Sequence, residues 1–263
     1  MVFKKILQRL GVGGPSVDTV LDRADAQPGG MLTGRIDIVG GDHDVDIDEI
    51  SLSLTVRAES EVGDEEYSHN VEFARTVVNG PFALAAGKEY SLPFQMPVPW
   101  ETPITHIHGQ FLHGMQVGVR TELSVAKAID KGDLDPLRVH PLPSQQAVLR
   151  GFEQLGASFK KADVETGRIA GLRQELPFFQ EIEYFPPRSH AGRISELELT
   201  FVAAGAGLAV VLEGDRRGGV FGGGGDTYGR FSMSHAEAEN HDWASAIGSW
   251  LDHVARRGGF GFG

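Results

Sequence analysis

The chain has 263 residues, 41% of them hydrophobic, no cysteine, and a formal net charge of −12 at pH 7. That balance excludes nucleic acid as the main partner, because phosphate binding needs clustered Lys and Arg; it also excludes disulfides, thiolate metal sites and cysteine nucleophiles. No apolar run approaches the roughly 18 residues of a membrane span, and no signal-peptide core follows the start, so the sequence reads as a soluble cytoplasmic protein of about two domains at roughly 150 residues each.

In chain order, Phe3, Ile6, Leu7 and Leu10 lie at helical spacing with Lys4 and Lys5 between them, a short basic amphipathic helix stopped by Gly11 and Gly13. Its expected role is contact: with its own domain, or with a neighbouring subunit in a homo-oligomer. An anionic membrane surface is the lesser alternative. From Ser16 the period becomes two: Val17, Thr19 and Leu21; then Leu32, Ile36 and Ile38; then Val45 to Val56. Such alternation marks half-buried strands. Glu59 to Glu66, centred on Gly63-Asp64, reads as an exposed acidic turn. Strands follow around Val71–Phe73, Phe82–Leu84, Tyr90–Phe94 and Gly114–Val125, and the turn signals between them favour an all-β sandwich. Ala128 to Pro136, with Gly132 and crowded charges, reads as a connector.

Beyond it, Val148, Leu149, Phe152 and Leu155 form a helical stripe with Ser144 expected as N-cap and Gly156 as stop. Strands resume at Ala157–Val164, Gln180–Phe185, Arg193–Val202, Leu208–Glu213 and Tyr228–Met233, with the Gly218–Gly225 run as a loop. A last helix carries Trp243, Ile247, Trp250, Leu251 and Val254 on one face, and both tryptophans are expected to dock it on the core. The expected layout is residues 1–128 as a first domain, 129–136 as a hinge, 137–257 as a second domain and 258–263 as a disordered tail.

Several of these segments, in order, resemble the SpoOM family of bacterial sporulation-control proteins: Ser16-Val-Asp-Thr-Val-Leu-Asp22, Ile47-Asp-Glu-Ile-Ser-Leu-Ser-Leu54, Leu92-Pro-Phe-Gln-Met-Pro-Val-Pro99, Pro143-Ser-Gln-Gln-Ala-Val-Leu149, Phe159-Lys-Lys-Ala-Asp163, Pro177-Phe-Phe-Gln-Glu181 and Asp242-Trp-Ala-Ser245. The resemblance implies a mainly β chain of two tandem arrestin-like (immunoglobulin-like) β-sandwich domains. It implies a non-enzymatic regulatory scaffold for protein partners, with no cofactor. The Gly222–Gly225 run and the Phe260–Gly263 tail have no counterpart in it.

Chemical motifs are few. In the Asp42–Asp48 loop, Asp44, Asp46 and Asp48 offer oxygens, but an EF-hand loop from Asp44 would need glycine at Glu49 and a carboxylate at Thr55. His106 and His108 form a His-x-His pair that would need a third ligand to hold zinc or copper. These two places define the alternative reading, a metal- or small-ligand sensor; no residue is assigned as a metal ligand. Ser234-His235 lacks the glycine-flanked elbow of a serine nucleophile, Gly87-Lys88 lacks the rest of a P-loop, and Gly205-Ala-Gly207 lacks the third small residue of a dinucleotide fingerprint. The interaction residues expected are therefore Phe3, Lys4, Lys5, Ile6, Leu7 and Leu10.

Overall fold

The structure is a computed structural model, and it describes residues 8–9, 13–62, 65–125, 133–216 and 227–257. Among them the chain is mainly β with three helices, and it separates into two compact units.

The first unit comprises Met1–Arg57, His69–Pro99 and Gln116–Val139. One antiparallel sheet runs Gln8–Arg9, Ser16–Leu21, Met31–Val39, Glu89–Pro97. A second sets Val117–Val125 between Asp133–Pro136 and the first part of Val45–Val62, which also pairs with Phe82–Leu84 and Glu65–Asn79. Alternate residues are buried, as the period of two requires: Val17, Ile36, Ile38 and Met96 from the first sheet, Leu52, Leu54, Val119 and Leu123 from the second. The hydroxyls of Thr19 and Thr121 meet at 2.5 Å between them.

Two expectations change here. Gln8 and Arg9, inside the stretch read as helical, form a short strand against Ser16 and Val17; Phe3, Lys4, Lys5, Ile6, Leu7 and Leu10 lie outside the described residues. The acidic segment read as a turn is strand on both sides, because Val45–Val62 and Glu65–Asn79 run on almost to the tip. Backbone pairing there overrides the polar composition that suggested a turn. Of the expected hinge, Asp133–Pro136 is extended and pairs with Gly118–Thr121; the earlier part lies outside the described residues.

The second unit comprises Ala58–Ser68, Trp100–Met115 and His140–Gly263. Its sheet is a meander, Ser158–Thr166, Phe178–Phe185, Ile194–Ala204, Gly207–Arg216 and Thr227–Met233, each antiparallel to the next. Three helices pack on it: α1, Pro143–Leu155; α2, His235–Asn240; and α3, Trp243–Arg257. Ser144 is not the cap of α1. Leu142 holds that place and its N–H donates to Gln145 Oε1 at 2.9 Å, while Pro143 opens the helix, where a missing N–H costs nothing. Ser144 is instead fully buried, its hydroxyl 2.8 Å from His235 Nδ1. α2 begins with a capping box unread in the sequence, Ser234 and Glu237 each bonding the other's backbone N–H. Asp242 caps α3 by accepting from Ser245 N–H at 3.0 Å.

The helices cover the face that carries Ile182, Leu199, Leu212 and Gly229, which lie in register across four strands. Trp243 is buried there and its indole N–H donates to the Ala238 carbonyl at 2.7 Å. Trp250 lies over Gly214 and Gly229, and a Cβ on Gly229 would stand 2.7 Å from its Nε1. Glycine at that position is what lets the indole reach the sheet.

Candidate functional site

The opposite face of the same sheet is charged. Because successive side chains alternate, the residues between the apolar ones form their own cross-strand rows: Asp163, Glu181, Thr200, Val211 and Arg230, and beside it Lys161, Glu183, Glu198, Glu213 and Tyr228. Five carboxyl groups therefore share this face, Glu196 from the next position makes a sixth, and cations are few.

The lysines sit at one end. The pairing of Ser158–Thr166 with Phe178–Phe185 slips between Phe159 and Lys161, and such a bulge turns two consecutive residues to one side. Lys160 and Lys161 thus both reach Glu183, each at 2.8 Å, while Lys160 also bonds Glu196 and Lys161 also bonds Asp163 Oδ2 at 2.7 Å. Burial alone would raise Glu183; hydrogen bonds from Glu196, Lys160 and Lys161 outweigh it and hold this carboxyl below the ordinary carboxylate range.

The other end is a hollow of about 430 Å³ lined by Phe179, Glu181, Glu198, Glu213 and Tyr228, with Arg168 to Ala170 at its rim. The two arginines there spend donors on backbone, Arg168 on the Gln174 carbonyl and Arg230 on the Ala170 carbonyl at 2.6 Å. No lysine or arginine forms an ion pair with Glu181 or Glu198 among the described residues. Burial, with Glu198, Asp163, Glu165 and Glu213 close by, pushes Glu181 up to about 8. Burial and the charges of Glu213, Glu183, Glu196 and Asp215 push Glu198 up to about 7. Near neutral pH both carboxyls are poised to exchange a proton for a cationic group.

At the edge of this face, Glu59 bridges to Glu165, and one carboxylate oxygen from each of Glu59, Asp163 and Glu165 lies within 4.8 Å of the others. The motifs read from sequence are arranged differently. Asp44 Oδ1 accepts from Ala86 N–H at 2.7 Å, and Asp46 and Asp48 are exposed along the Val45–Val62 strand. His106 packs its ring against Phe111 and His140, whereas His108 occupies a left-handed turn position, φ 50°, and points to Glu153 Oε1 at 2.7 Å. The two imidazoles serve different partners. His235 pairs with Ser144 rather than with its neighbour Ser234, and its Nε2 is 2.8 Å from the Ala204 carbonyl. The acidic face itself was visible only as the polar half of amphipathic strands.

A mainly β chain of two compact units, the second bearing a walled acidic sheet face, is the class these features define. Comparison with known proteins then places it. The family model described as SpoOM protein matches residues 3–218, and the chain belongs to that family. It is 33% identical over 216 residues to sporulation-control protein spo0M of Bacillus subtilis (strain 168), an alignment covering 82% of this chain and 81% of that one. The crystal structure of Spo0M, the sporulation control protein from Bacillus subtilis, superposes with a TM-score of 0.78 at 30% identity, covering 93% of this chain and 100% of that chain. Among the described residues no helix is long and apolar enough to cross a membrane.

Proposed function

We propose that this chain is a non-enzymatic, cytoplasmic regulator of sporulation, built as two tandem arrestin-like sandwiches, that works by holding partner proteins. The hollow on the acidic face is the docking point, and the partner chemistry is a lysine- or arginine-bearing segment. One observation carries this: Glu181 and Glu198 line a walled recess, without an ion pair to any cation of the described residues, and hold their protons to about 8 and about 7. An incoming ammonium or guanidinium would release those protons and gain charge-assisted bonds in a partly desolvated site. The aromatic rings of Phe179 and Tyr228 supply flat walls for its aliphatic stem.

A carbodiimide joins carboxylates directly to lysines, so cross-linking the tagged chain in its native cells tests the docking point. Peptides of the second-unit sheet face joined to a partner lysine are expected, and the Glu181→Gln/Glu198→Gln variant, folded as judged by circular dichroism, should lose the partner. Retention of the partner by that variant, with links mapping elsewhere, would sink the proposal.

A further inference from the structure

We propose that the partner is an extended segment carrying an apolar residue about four positions from its basic one, and that a second, apolar hollow on the same sheet face receives it. This rests on the docking point above and specifies what binds there. The apolar hollow has a volume of about 260 Å³ and is lined by Leu172, Val202, Ala204, Ala209 and Ser232, with Arg173 in its wall. Val202, Ala209 and Ser232 stand opposite one another on three neighbouring strands, four residues along from Glu198, Glu213 and Tyr228 of the acidic hollow. An even separation keeps both rows on one face. At about 3.3 Å per residue, the two rows lie roughly 13 Å apart. Four residues of an extended partner span that distance, whereas four residues of helix span only about 6 Å.

The wall between the hollows is pinned from below. Residues 167–177 run over the face, with Arg168 to Ala170 lining the acidic hollow and Leu172 and Arg173 lining the apolar one. The side chain of Gln174, a buried residue, fixes this segment. Its Nε2 lies 3.0, 2.7 and 2.8 Å from the carbonyls of Gly167, Leu176 and Phe178, and its Oε1 accepts from the Ile169 N–H at 3.1 Å. Arg230 Nη1 ties the same segment down by donating to the Ala170 carbonyl at 2.6 Å. Both hollows therefore keep a wall that no ligand has to order, which lowers the cost of binding. Charge completes the match. Arg173 is exposed and forms no ion pair among the described residues. Along one line the face is acidic, then apolar, then basic, so the complementary segment is basic, then apolar, then acidic. A wholly apolar occupant would leave Glu181, Glu198 and Arg173 unmatched.

The test is peptide titration of the isotope-labelled full-length chain at pH 7, followed by NMR. The probes are the capped peptide Lys-Ser-Gly-Ser-Leu-Asp, its reverse, and versions with serine for leucine or lysine for aspartate. In one chain direction the leucine peptide should bind about fivefold tighter than its serine counterpart, and the Ala204 and Ala209 amides should shift only when leucine is present. Ala209→Phe, at a half-buried position facing the hollow, fills it and should remove that advantage while the weaker, lysine-dependent binding stays. Arg173→Glu, at an exposed position, should reverse the preference for aspartate over lysine beside the leucine. Lysine-dependent binding that ignores leucine and both substitutions overturns this inference and leaves the docking point standing. Peptides that do not bind, or bind Glu181→Gln/Glu198→Gln equally well, sink the docking point and this inference with it. An Ala209→Phe chain that changes oligomeric state in sedimentation but keeps the leucine advantage assigns the hollow to a second copy, which also overturns the inference.

Discussion

The two faces of the second unit's sheet come from the same strands, one residue out of step. Ile182, Leu199 and Leu212 lie under the helices and are fully buried; Glu181, Glu183, Glu198 and Glu213 are their immediate neighbours on the other side. One face is closed by packing, so its energy comes from shape. The other is closed by a bulge that doubles the lysines at one end and by loop and aromatic walls at the other, so its energy depends on who neutralises whom. A one-residue slip in register would exchange the two sets. The apolar face therefore fixes the register, and the acidic face inherits its geometry from it.

The dry face should break hardest. Leu199→Ala, at a position with 0% exposure, should cost about 3–4 kcal/mol through lost burial and the cavity left behind. Urea unfolding reads this, and a cost below 1 kcal/mol would mean the helices do not seal that face. Gly229→Ala comes next. The new methyl would meet the Trp250 ring at 2.7 Å, and the indole must lift or the strand must shift, at about 2 kcal/mol. Loss of the native Trp250 fluorescence would accompany it, and pairing with Trp250→Ala should erase most of the added cost.

How much of this contrast is legible in the residues alone differs by face. Alternation at Val17–Leu21, Leu52–Val56 and Val117–Val125 marks strands directly, and the stripe Trp243, Ile247, Leu251 and Val254 marks α3, because period is a local property. The capping box Ser234-His-Ala-Glu237 was equally local and announces α2. By contrast, nothing near Lys160 signals the bulge, since it is defined by the partner strand. Glu181 reads as an ordinary solvated glutamate until Glu198 and Glu213 are set beside it by registers closing over many residues. The same holds for Glu59, read as part of a turn, which meets Glu165 through a single bridge. The alternative reading, a metal or small ligand at Asp42–Asp48 or His106/His108, starts from neighbours in sequence, whereas the acidic face is gathered from neighbours in space.

At the lysine end of the acidic face, Lys161→Ala should cost about 1 kcal/mol. It leaves Glu183, itself 6% exposed, with one lysine instead of two, but the lost ammonium is half in water and its share is screened. The effect should shrink at low pH, where Glu183 accepts a proton. An unchanged cost from pH 3 to pH 7 would show that packing of the lysine stem, not charge, is what was lost.

The smallest effect separates the two ends by sign. Glu183 is held below its ordinary value, so its contribution to stability is present above the unfolded pKa and lost as the pH falls through the folded one. Glu198 is raised from 4.5 to about 7. Its folded state binds the proton more tightly, so its contribution is full below the unfolded pKa and disappears as the pH rises through about 7. Between these limits the lysine end is already ionised while the hollow is losing its protons. Wild-type stability should therefore decline from pH 5 to pH 8, and Glu198→Gln, which cannot ionise, should flatten that decline. Because the carboxyl is only partly enclosed, the gain of the variant at pH 8 should be on the order of 1 kcal/mol rather than the full linkage value. Parallel pH profiles for variant and wild type would mean that water reaches Glu198 freely and that the hollow holds no proton for a cationic partner to displace.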